Sequence, residues 1–143
     1  MDFEQIEDKI IDALKTSITY ARTILTYAGE LDGSVEELAI AYPAIFTMFA
    51  GSQYGLVDGN DYNEVDIFSV IVASKNLRGN EAMRKDASIG CYKMIKDVLA
   101  CIAGQNFNLD IERMKPLETR LLYVSKTITY YGIEFQTNFD KIY

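Results

Sequence analysis

Histidine does not occur in this chain of 143 residues, and cysteine and proline occur only twice each. Without histidine the commonest general base and the commonest metal ligand are both missing. The two cysteines, Cys91 and Cys101, fall ten residues apart in one stretch of helical periodicity. Ten residues of helix rise about 15 Å, too far for a disulfide, so two buried free thiols and a reducing compartment are expected. Long apolar runs are missing too, because none reaches the roughly 18–20 residues of a membrane span. The opening MDFEQIEDKI is acidic where a secretory signal would be basic, so no export signal is read. Basic charge is scarce in the first half. Up to residue 72 there are 13 acids and 3 bases, whereas from 73 onward there are 8 acids and 11 bases. A net charge of −7 argues against sequence-independent binding of nucleic acid. Halves of opposite sign can attract copies of one chain head to tail, although ordinary solvated faces would give the same counts.

What is there reads as one domain over residues 1–143, with 49% apolar and 24% charged residues. Phe3, Ile6, Ile10 and Leu14 recur at helical spacing over 3–16, and Asp2 with Gln5 is spaced as a capping box. ITYARTILTYA (18–28) is dense in β-branched and aromatic residues and predicts a strand. Ser34 and Glu37 open a short helix that Pro43 stops. Ala44–Ala50 and Val65–Ser74 are continuous apolar strands without alternation, as in a sheet covered on both faces. Asp58-Gly59-Asn60 between them is a turn signal, so the two form a hairpin whose arms Tyr54 and Tyr62 extend. Ala87, Cys91, Met94, Val98 and Ile102 make the stripe of a long helix over Glu81–Ala103, with Gly104 at its C-terminal cap. Pro116 marks a loop, and strands close the chain over 119–125 and 127–139. In the last one the apolar phase changes between Ile128, Tyr130 and Ile133, Phe135, Phe139, which predicts a β-bulge at Tyr131-Gly132. The fold class expected is α+β: a mostly antiparallel sheet of about five strands packed by two long helices plus one short helix.

No constellation for catalysis converges. The paired carboxylates Glu7-Asp8 and Glu36-Glu37 are adjacent on helices and so diverge by about 100°. Cys91 lies on an apolar stripe, where a core thiol is the plainer reading than a nucleophile. Asp58, Asn60, Asp61 and Glu64 fail the spacing of a calcium loop. Gly51, Gly55 and Gly59 precede no helix that would complete a phosphate site. No catalytic residue, cofactor or metal ligand is therefore assigned, and the protein is not read as an enzyme. Arg84 and Lys85 stand in the first turns of the expected helix, where the dipole disfavours cations. A partner's carboxylates would compensate for that placement; solvated surface charges would also account for it.

The ordered set FEQIEDKIIDAL, TYAGEL, YPAIFTMFAG, VASKNLRGNEAMRK, GCYKMIKDVLACIAGQNFNL and YYGIEF spans nearly the whole chain. It resembles the small tail protein of Mu-like contractile-tailed phages and prophages, encoded just ahead of the sheath and tube genes. The resemblance implies a tail-terminator-like virion protein: a hexameric ring of copies of itself that caps tail tube and sheath and offers a surface to head-completion or neck proteins. DNA would be passing cargo only, and no membrane is involved. Its places would be the tail end or neck of the virion and, during assembly, the host cytoplasm. A neck protein without length control, an assembly chaperone and a component of a phage-derived bacteriocin stay open. The hairpin 52–63 and the connector 75–86 are the expected contact regions, with Tyr54, Asp58, Asp61, Arg78, Arg84 and Lys85 as candidate interface residues.

Overall fold

The computed structural model of the protein describes residues 2–27, 40–75, 84, 85 and 90–142. Asp2 opens helix α1 (Phe3–Ser17) by accepting the Gln5 N–H at 2.7 Å, which satisfies one of the donors that every helix start leaves without an internal partner. Ile6, Ile10 and Leu14 are buried along one face. Each such side chain contributes about 1.5–3 kcal/mol relative to exposure. Ile18 extends the same stripe into the core and caps the helix through its N–H to the Leu14 carbonyl at 2.8 Å. The β-branched run from 18 is therefore not one strand. Residues 18–22 turn the chain, and β1 is only Thr23–Thr26.

Strands β2 (Ala44–Asp58) and β3 (Asp61–Lys75) form the expected hairpin, each much longer than its apolar core. Helix α2 (Cys91–Ile102) follows, then β4 (Lys115–Val124) and β5 (Ile128–Ile142). The sheet has five strands in the order β1-β2-β3-β5-β4. β1 pairs parallel to β2 and the other pairings are antiparallel, so the sheet is mixed. The 17 residues between β1 and β2 are long enough for the crossover that parallel neighbours need.

The architecture is α+β, but two long helices plus a short one is not what is found. Among the described residues α1 has 15 residues and α2 only 12. The helix expected over Glu81–Ala103 is interrupted at Gly90, whose extended backbone (φ −72°, ψ 162°) makes it the N-cap of α2. Glycine inside a helix costs about 1 kcal/mol relative to alanine, so the break falls where it costs least. The short helix expected from Ser34 lies outside the described residues.

Pro116 is inside β4 rather than in a loop. β4 is the sheet's edge, where the missing N–H costs no ladder bond, and a register shift sits beside it at Pro116/Glu118. The bulge expected at Tyr131-Gly132 is likewise on the other strand. β5 keeps unbroken register with β3, while β4 shifts between Leu121 and Tyr123, opposite Tyr131 and Tyr130. The phase change along β5 has a different cause: both faces of the sheet are apolar at this end. Tyr131, Ile133 and Phe135 belong to the main core under the helices, whereas Ile128 and Tyr130 join Ala44, Phe46, Ile71 and Ala73 on the opposite face. The same two-sided burial explains the unalternating IFTMF of β2, where Ile45 and Phe46 enter different clusters.

Candidate subunit interface

Past Ser52 and Asp66 the β2–β3 hairpin runs out of the core. Asp66 is fully buried and accepts the Ser52 hydroxyl at 2.6 Å, but beyond it every β2 side chain is exposed. Tyr54, Leu56 and Val57 stand in that outer part, and Leu56 is 88% exposed. Tyr54 and Tyr62 brace each other edge to face at 5.5 Å, so the two arms are tied at their outer end as their sequence positions imply. The turn is closed by Gly59 at φ +53°, a left-handed value that favours glycine. Asp58 and Asp61 stand opposite each other across it. Like charges so paired repel. Asp58 and Asp61 thus make the tip acidic as well as apolar.

The basic residues lie at the other end of the same ribbon. Arg84 is half-buried and close enough to the Cys91 thiol and the Tyr131 phenol to favour their charged forms. Burial nevertheless prevails in both, pushing Cys91 up to about 12 and Tyr131 above its ordinary value, the latter with help from the neighbouring Tyr92. The buried Arg84 Nε has no hydrogen-bond partner among the described residues. Lys85 beside it is exposed, as are Lys75 at the end of β3 and Lys126 in the β4–β5 turn. An apolar patch adjoins this charge. Tyr92 meets Tyr131 edge to face at 6.3 Å, and Leu121 lies directly opposite Tyr131 on the same sheet face. Tyr92, Leu121 and Val124 are all exposed.

Of the six residues expected at an interface, Tyr54, Asp58 and Asp61 are thus together at one end of β3, and Arg84 and Lys85 are gathered towards the other. Arg78 lies outside the described residues. Sequence reasoning missed Leu56, Val57, Tyr92, Leu121 and Val124. The pair Leu56-Val57 carried a usable signal, since an apolar pair directly before an Asp-Gly turn has no core to enter. The patch residues come from α2 and β4, so nothing local in the sequence joins them.

A surface cleft of about 360 Å³ is lined by Tyr20, Lys93, Asp97 and Cys101 among others. Its polar groups already serve each other. Tyr20 donates to Asp97 at 2.6 Å, and Lys93 pairs with the same carboxylate oxygen at 3.0 Å. Burial works against the charged Asp97, but these donors hold its carboxyl below the ordinary value. Burial and the Asp97 hydrogen bond raise Tyr20. The group ties the end of α1 to α2. Among the described residues no set of three or more histidine, cysteine or acidic side chains is placed to hold a metal, and no helix is long and apolar enough to cross a membrane.

A family model described as Bacteriophage Mu, Gp37 matches residues 2–140. The chain belongs to that family. It is a phage protein of a tail-related family, as the ordered segments of its sequence imply. No curated protein matches it.

Proposed function

We propose that the protein is a tail terminator: a non-enzymatic virion component that ends growth of a contractile tail by binding the last ring of tube and sheath. In this reading copies form a closed ring, a hexamer by likeness to tail terminators, and its free face receives the head-completion proteins while DNA passes through. Membership of a Mu tail-related family supports the setting. The observation that carries the reading is the ribbon with a greasy acidic tip at one end and a basic aromatic patch at the other. Such surfaces serve protein contacts, since exposed apolar groups rimmed by charge are characteristic of interaction sites.

Deleting the gene from its phage and measuring tail lengths by electron microscopy tests the role. Long, variable tails are expected. Tails of normal length without heads would move the protein to the neck, and its absence from purified particles would make it an assembly chaperone. Reversing charge at Arg84 and Lys85 together should impair assembly without unfolding the protein, which circular dichroism and particle counts would check.

A further inference from the structure

We propose that the hairpin tip of one copy docks on the basic aromatic patch of a second copy, joining subunits head to tail. The inference deepens the tail reading and rests on it for the assembly in which copies meet. Three observations carry it. First, the two surfaces match in character: Leu56, Val57 and Tyr54 offer apolar and aromatic area, and Tyr92, Leu121 and Val124 receive it. Second, their charges are opposite. The tip holds Asp58 and Asp61, whose mutual repulsion a cation would relieve, and the patch holds the half-buried Arg84 with the exposed Lys85 beside it. Third, a chain cannot satisfy itself. β3 runs from Asp61 at the tip to Lys75 beside the patch, and its register with β5 is continuous over that whole length. Fourteen steps at about 3.3 Å each set the ends roughly 45 Å apart on a hydrogen-bonded ribbon. The partner that fits is therefore another copy. Because tip and patch are different surfaces, the contact is heterologous and leaves one free tip and one free patch on every pair.

The test uses cysteine pairs bridged by a short bis-maleimide in a Cys101→Ser background, Cys91 being buried. Leu56→Cys and Val124→Cys are made singly and together, in the purified protein and in tails assembled from phage carrying them. Both sites are exposed, so thermal unfolding of each variant should match the parent. Mixing the two single variants should give cross-linked dimers that neither gives alone, and the double variant should give a ladder of higher species. Adding Asp58→Lys with Asp61→Lys should lower the cross-linked fraction about tenfold or more, since like charges brought together cost several kcal/mol. A ladder in either setting supports the docking. It is overturned if single variants cross-link to themselves, which would mark a two-fold contact, or if the double variant gives no ladder in either setting. Tails of normal length that contain the protein but show no ladder would refute the docking alone; a protein missing from tails would refute the terminator role.

Discussion

Glu7 shows how one side chain fixes a helix on a sheet. Its carboxylate accepts the Thr47 hydroxyl from β2 at 2.9 Å and the Thr26 hydroxyl from β1 at 3.0 and 3.1 Å. Thr47 is buried, so removing the acceptor strands a hydroxyl away from water. Glu7→Ala should therefore lower stability by about 1–3 kcal/mol in urea unfolding, and Glu7→Gln, which keeps one acceptor, by less. Nothing in the sequence announces this residue, whose partners are 19 and 40 positions away. The Asp2 cap could be read because it is local. The cysteines could be read in part. Both are free, with Cys91 buried and Cys101 half-buried. Burial raises Cys91 from 9.0 to about 12, so the fold favours its neutral thiol. That contribution to stability is complete below pH 9 and declines as pH climbs from 9 toward 12. In alkylation of the native protein at pH 8, Cys101 should react first and Cys91 only after unfolding. Rapid native labelling of Cys91 would show that its cover opens.

Local patterns place strands and helices well where one periodicity governs, and poorly where two causes overlap. The α1 stripe and the Asp58-Gly59-Asn60 turn are of the first kind. The β5 phase change is of the second, because a slipped residue and a two-faced sheet leave the same trace in sequence. Pro116 misleads for a similar reason, since only the strand order reveals that β4 has an edge for it to occupy. The cap expected at Gly104 is taken by Ala103, and Gly104 follows it at φ +81° with its N–H bonded to the Met114 carbonyl at 2.8 Å. Its added Cβ would meet nothing within 4 Å, so the cost of Gly104→Ala is conformational alone, about 1–2 kcal/mol. Gly55 in β2 also has open space but no positive φ, and Gly55→Ala should leave the thermal midpoint where it is or raise it slightly. Equal losses at both positions would show that space rather than backbone conformation decides.

The apolar residues of this protein fall into two groups, one in the core and one in solvent. The main buried cluster lies between the helices and the inner halves of β2, β3 and β5, with a smaller one on the sheet's other face, whereas the outer β2 arm carries its apolar residues into solvent. The candidate interface was legible as two loop regions of opposite charge, but not as a tip and a patch, because only strand register reveals that the two regions terminate one ribbon. A fold alone has no use for Leu56 and Val57 where they stand, so their value must be sought in contact with other chains. Leu56→Ser with Val57→Ser should accordingly change stability by no more than about 0.5 kcal/mol, as exposed positions do, and calorimetry should find the midpoint unmoved. The same variant should lose self-association in light scattering or, where copies meet only on the tail, should yield tails that lack the protein. An unmoved midpoint with assembly lost would place the tip in the interface and outside the core. A lowered midpoint would instead make the tip part of the fold, and full assembly with serines there would mean that the docking contact is made elsewhere on the ribbon.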